Sequence, residues 1–136
     1  MIEAFSRAQG LELAVHDDRN LPSLCVQLSM FRRARVVVAP HGAGEVHLVA
    51  AAPRTCVVEM LSHDAWFNPC YARLAYLLGH DYASVGMRRE RPSPKGPGQP
   101  KPAAHHRYSA NETELAGALR RCETGSQSRS SVSFAE

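Results

Sequence analysis

The residues best placed to do chemistry lie in the turn Pro40-His41-Gly42-Ala43-Gly44, which follows the wholly apolar run Val36-Val37-Val38-Ala39 and leads into a short helical stretch, Glu45 to Ala51. A helix start behind such a turn offers unpaired N–H groups and about half a positive charge, and glycines let a backbone bend tightly and approach a ligand closely. Such a terminus binds phosphate. His41 could donate to the same anion, and a diphosphate beside it would favour its protonated form. The same residues also have plainer readings: the glycines merely close a strand-to-helix turn, and a lone loop histidine is simply solvated.

Two other chemistries fit less well. Gly42-Ala43-Gly44-Glu45-Val46-His47 begins like the G-x-G-x-x-G of dinucleotide sites, with Glu59 ending the next strand. His47 replaces the third glycine, however, and Pro40-His41 lengthens the turn before the first. No metal site is expected. His41 and His47 are out of step with one helical face, His105-His106 lies in a Pro-rich segment, and Cys25, Cys56, Cys70 and Cys122 contain no C-x-x-C pair. Three of those cysteines fall inside apolar patterns and read as small core residues, although a luminal setting could pair two of them. Asn111-Glu112-Thr113 is a glycosylation sequon that matters only in such a setting.

The elements that must position the turn follow from the apolar period, which alternates between two values. Met1 to Gln9 reads as a helix closed by Gly10, and Leu11 to Val15 alternates as a short strand. Leu24, Leu28 and Phe31 share one helical face, with Pro22 near its start and Arg32, Arg33 and Arg35 at its end, where cations suit the helix dipole. Val36–Ala39 reads as a strand covered on both faces. Pro53 then precedes the β-branched strand Thr55–Glu59. Asn68-Pro69 starts a helix whose apolar stripe is Tyr71, Leu74, Ala75 and Leu78, stopped by Gly79. Asp81–Val85 is a fourth strand candidate, and Glu112–Cys122 a last helix with Leu115, Ala118 and Leu119 together.

Strands alternating with helices predict an α/β fold, Rossmann-like, with a mainly parallel sheet and helices on both faces. In such sheets the ligand crevice lies beyond the carboxyl ends of the strands. That rim gathers the turn with His16, Asp17, Asp18, His63, Asp64 and Ser84-Val85-Gly86.

At 136 residues and 14.9 kDa, the chain has room for one domain with a core of its own. The composition, 44% hydrophobic and 21% charged, is that of an ordinary globule, and no apolar run approaches the ~18 residues of a membrane span. No basic-then-apolar leader opens the sequence. The net charge of +3 arises from residues 88–107, where six basic residues face Glu90 alone. Five of the nine prolines are in this same segment, so it reads as an extended linker rather than a nucleic-acid surface. The organisation expected is therefore an α/β unit over 1–88, a Pro-rich basic linker over 89–107, a helix over 108–124 that packs back on the unit, and a disordered tail over 125–136.

The stretch Phe31-Arg32-Arg33-Ala34-Arg35 through His41-Gly42-Ala43-Gly44 resembles the glycosyltransferase family 61 catalytic domain. The likeness continues through Pro53 and Val57-Val58-Glu59-Met60 to Cys70-Tyr71, Leu74-Ala75, Gly79-His80 and Tyr82, with Gln27 fitting the preceding helix, so it covers roughly residues 11–85. The chain departs from the family pattern at Glu45, where an apolar or small residue is usual, at His47, where asparagine is common, and at Arg54, which replaces a glycine.

The resemblance implies the carboxyl-terminal, donor-binding half of a GT-B enzyme that transfers a sugar from a nucleotide diphosphate with inversion to a glycan or protein hydroxyl. His41, Gly42, Ala43 and Gly44 would hold the diphosphate, with His41 stabilising the leaving group. Glu59 would accept hydrogen bonds from the ribose, or is a solvated strand-end acid. No tightly bound cofactor and no metal are implied, the nucleotide sugar being the donor substrate. Residence in the Golgi or endoplasmic reticulum lumen follows from the same resemblance. The acceptor half of a two-domain transferase is not in these residues, so the chain alone is expected to be incomplete. The rival expectations are a non-catalytic binding remnant of the fold and a dinucleotide-binding oxidoreductase fragment.

Overall fold

The computed structural model describes residues 1–17, 19–62, 68–89 and 108–127. Helices α1 (Ile2–Ala8) and α2 (Leu24–Arg33) precede strand β1 (Val36–Pro40), a 3₁₀ helix (Ala43–Ala50), β2 (Cys56–Ser62), α3 (Cys70–Leu77), β3 (Asp81–Arg89), β4 (Tyr108–Ala110) and α4 (Glu112–Gln127). The strands lie in simple sequence order, β1-β2-β3-β4. The first three are parallel, with Val36 opposite Cys56 and Cys56 opposite Asp81, while β4 runs antiparallel to β3. The α/β class and the mainly parallel sheet are as expected.

Side chains alternate across β2, and that alternation divides the molecule. Cys56 and Val58 point to an apolar layer completed by Val85 and by Leu115, Ala118, Leu119 and Cys122 of α4, with Ile2 and Phe5 of α1 packed against it. Cys56 and Cys122 form a disulfide with a Cα–Cα distance of 5.6 Å. Two of the four cysteines are thus core residues, and they are paired with each other; Cys25 and Cys70 are exposed, so only two, not three, fit the apolar reading. On the remaining face, the 3₁₀ helix and α3 contribute the fully buried Leu48 and Ala75.

Local chemistry sets the boundaries. Gly10 (φ 62) and Gly79 (φ 69) adopt the left-handed conformation that ends α1 and α3, as expected of both glycines. Pro69 takes the cap position of α3, and Asn68, one residue before it, supports the helix start by accepting from the Cys70 N–H through Oδ1 at 3.2 Å. Asn111, the sequon asparagine, caps α4 by accepting from the Thr113 and Glu114 N–H groups.

Several expectations need revision. Leu11–Val15 alternates but has no strand partner among the described residues, and Leu13 and Val15 stand exposed. β3 runs four residues past Val85, so Ser84-Val85-Gly86 lies within a strand rather than beyond its end. β4 went unforeseen. Helix α4 continues to Gln127, three residues into the stretch expected to be tail. Residues 90–107 and 128–136, which hold nearly all of the expected linker, the rest of the tail and His105-His106, lie outside the described residues, as do Asp18, His63 and Asp64.

Candidate functional site

The turn after β1 opens on a cleft of about 650 Å³ whose walls include His16, Gln27, Phe31, His47 and the whole of His41–Glu45. It sits at the carboxyl end of β1, where the fold class places ligands. A smaller cavity of about 140 Å³ lies toward the amino ends of the strands and carries Arg32, Arg33, Arg35 and Arg54, opposed by Asp81 and Glu123.

The His41 N–H continues the β1–β2 ladder by donating to the Met60 carbonyl at 2.9 Å. Its side chain turns back over the sheet, where Nδ1 meets Oε1 of Glu59. The other Glu59 oxygen accepts from the Tyr82 hydroxyl. Glu59 is 1% exposed while the His41 side chain is 31% exposed, so a buried carboxylate orients an imidazole that faces the cleft. The Tyr71 ring packs edge-on to His41 at 5.2 Å. Both phenols are pushed up: Tyr82 by burial and then by its bond to Glu59, and Tyr71 by burial and then by Cys70, Glu45 and Glu59.

Glu45 occupies the first turn of the 3₁₀ helix and is 1% exposed. Its Oε2 accepts from the Gly42 N–H at 3.3 Å, which is half of a capping box, since a glycine has no side chain to reciprocate. Among the described residues no N–H or O–H donates to Oε1, and the protonated acid can bond to Glu59. Burial first, and then the charge of Glu59, push its carboxyl up to about 8 against the opposing effect of the Gly42 N–H. At neutral pH Glu45 is mostly an uncharged acid, so the repulsion of an anion that its residue type suggests does not arise. Atoms of His41, Glu45 and Glu59 able to bind a cation all lie within 4.8 Å of one another.

The backbone of the turn is divided in use. His41 and Gly42 spend their N–H groups inside the protein, as above, while the Ala43 and Gly44 N–H groups have no acceptor among the described residues. Neither Gly42 nor Gly44 has a left-handed φ, so the bend itself does not demand glycine. A Cβ built on Gly44 would meet nothing within 4 Å, which leaves room for close approach to its amide.

The opposite wall is organised by His16 and His47. The His16 Nε2–H donates to Oε1 of Gln27 at 2.9 Å, and the Gln27 amide donates to the Pro22 carbonyl, so the loop before α2 is tied down over that helix. His47 Nδ1–H donates to the Gly44 carbonyl at 2.8 Å and its ring lies 5.3 Å from Phe31 and 6.0 Å from His16. His16 and His41 therefore share one cleft, as the rim argument expected, whereas Asp17 accepts from the Arg19 N–H in a local turn. The sequence reading missed the roles of Tyr82 and Glu45 as neighbours of Glu59. The only advance signal was that Glu45 stands where an apolar residue would suit.

Residues 1–58 match the model of the family described as Glycosyltransferase 61. The chain is also 34% identical over 61 residues to the beta-1,2-xylosyltransferase RCN11 of Oryza sativa subsp. japonica, a match covering 45% of this chain and 11% of that protein. No solved structure matches the chain. The family resemblance read from residues 31–44 holds, and the matched stretch ends at Val58, one residue before Glu59.

Proposed function

We propose, from the glycosyltransferase 61 domain carried by this chain, that the cleft beyond β1 binds the diphosphate of a nucleotide sugar donor. The observation that carries the reading is the convergence on one cleft of the His41 imidazole, held by buried Glu59, with the Ala43 and Gly44 amides at the start of the 3₁₀ helix. Departure of a nucleoside diphosphate develops negative charge, and donors fixed in place before the reaction stabilise it without reorganisation. His41 supplies a side-chain donor: with Nδ1 taken up by Glu59, Nε2 is the ring nitrogen left for an anion. The neutral state of Glu45 keeps the floor of the cleft from opposing an anion.

In this reading the chain contributes the donor side of an inverting transferase with a GT-B-like, Rossmann-like half, and a glycan or glycoprotein hydroxyl is the acceptor. The residue that activates that hydroxyl would come from elsewhere in the whole protein. A luminal location, Golgi or endoplasmic reticulum, is part of the proposal and is supported by the Cys56–Cys122 disulfide, a feature of oxidising compartments. Among the described residues no helix is long and apolar enough to cross a membrane.

The test is calorimetric titration with a uridine diphosphate, a guanosine diphosphate and NAD in parallel. Heat from a nucleoside diphosphate that disappears in Gly44→Asp, with none from NAD, supports the reading. Absence of binding by either diphosphate, or binding unaffected by Gly44→Asp, removes it.

A further inference from the structure

Folding gathers three potential metal ligands that sequence spacing gave no reason to group. His41 follows β1, Glu45 lies in the first turn of the 3₁₀ helix, and Glu59 belongs to β2, yet their ligand atoms lie within 4.8 Å of one another. Ligands held 2.0–2.2 Å from a common ion are themselves about 3.4 Å apart, so the set forms once side-chain rotations part the bonded His41 and Glu59 and bring Glu45 in. A second observation points the same way. Oε1 of Glu45, in a residue that is 1% exposed, is buried and accepts from no N–H or O–H among the described residues, and the Glu45 carboxyl lies beside that of Glu59. Buried oxygens without a partner are rare in native proteins and call for an explanation such as an ion.

We propose that His41, Glu45 and Glu59 hold a divalent transition-metal cation at the floor of the cleft. One imidazole nitrogen and two carboxylates form a borderline donor set, suited to Zn²⁺ or Mn²⁺ and poorly matched to the all-oxygen preference of Mg²⁺ or Ca²⁺. The Tyr82 hydroxyl, bonded to the second oxygen of Glu59, orients that ligand from behind, as outer partners of metal sites do. The cleft, onto which His41 and Glu45 both open, leaves the remaining coordination positions for water or an anionic ligand. Glu45 is one of the positions where the chain departs from the family it resembles, so the third ligand belongs to this sequence. The proposal stands on the cluster itself; it concerns a metal-loaded state in which Glu45 is ionised, distinct from the metal-free state that the nucleotide reading uses.

The test uses the intact chain, stripped with a chelator and titrated calorimetrically with Zn²⁺, Mn²⁺ and Mg²⁺, with Co²⁺ absorption as a report on the ligand field. One ion per chain is expected, with Mg²⁺ the weakest, together with a rise in melting temperature on loading. Glu45→Leu, which leaves the His41–Glu59 pair in place, should lower the affinity by about 100-fold or more, exceeding the usual effect of an outer partner. A melting curve of metal-free Glu45→Leu shows that it folds. Failure of the wild-type chain to bind any of these ions saturably overturns the proposal. So does unchanged affinity in Glu45→Leu, or binding that is lost only when His16 and His47 are replaced. Titration with a nucleoside diphosphate in chelator reads the nucleotide site separately, so either idea can fail alone.

Discussion

His41 and Glu59, 18 positions apart, meet through Nδ1 and Oε1 at the point where the first two strands deliver them to the same side of the sheet. Strand register makes the meeting possible: Ala39 is opposite Glu59 and Pro40 opposite Met60, so the next residue, His41, can fold back over the acid.

Glu59→Gln keeps the shape of the acceptor and removes its charge. His41 then loses the charged partner that fixes its ring, and affinity for a nucleoside diphosphate should fall about tenfold, equivalent to ~1.4 kcal/mol. Calorimetric titration of both proteins under chelating conditions checks this; equal affinity would mean that the pair is purely structural.

Glu45 gives the fold a pH dependence of definite sign. Its carboxyl is raised from an ordinary 4.5 to about 8, so between these values the native state keeps a proton that the unfolded chain releases. Its contribution is fully present below pH 4.5, declines as the pH rises toward 8 and changes no further above that, a loss on the order of a few kcal/mol. Urea midpoints measured across this range in chelator should fall more steeply for the wild-type chain than for Glu45→Leu. Parallel curves would refute the assignment.

Arg54 has φ 65 in the turn that links Ala52 to Thr55, with Pro53 before it. A proline followed by a residue of positive φ is the pattern of a type II turn, whose third position favours glycine. Its contact with Asp81, at 3.8 Å between half-exposed groups, is a weak one. Arg54→Gly should therefore raise unfolding stability by about 1 kcal/mol, read from denaturant curves. A loss of that size would show that the arginine makes a contact worth more than the strain.

The Cys56–Cys122 bridge spans 66 positions. Closing a loop of that length restricts the unfolded chain by about 4 kcal/mol in the chain-entropy account. Reduction, or Cys122→Ala, should lower stability by that order, measured by chemical denaturation with and without reductant. Insensitivity to reductant would show that the two thiols are not joined in solution.

Some of this was legible in the residues. The apolar run Val36–Ala39 does form a strand, but the expected cover on both faces is not there: β1 is an edge strand, only half-buried, and it lines the cleft. Leu11–Val15 misleads because alternation signals a strand only where a neighbour exists to pair with it; here the segment runs as a loop tied down by His16 and Gln27. β4 is three residues long, too short for a period to register. Glu45 shows the deeper limit. Its residue type suggests a solvated charge, and only the packing of the 3₁₀ helix against the sheet makes it a neutral, buried acid. The pairing of Cys56 with Cys122 is likewise a property of α4 lying across β2, which spacing does not encode.

β2 also acts as a partition. On one face Glu59 anchors the polar assembly with His41 and Tyr82, and on the other Cys56 and Val58 enter the oily layer beneath α4. Sliding the strand by a single position would exchange the two populations, stranding a carboxylate in oil and presenting valine to the imidazole. The sulfur bridge, three residues upstream of that carboxylate and on the reverse side, moors the strand against such a slip, so the anchor that holds the molecule together also keeps its chemistry facing the right way.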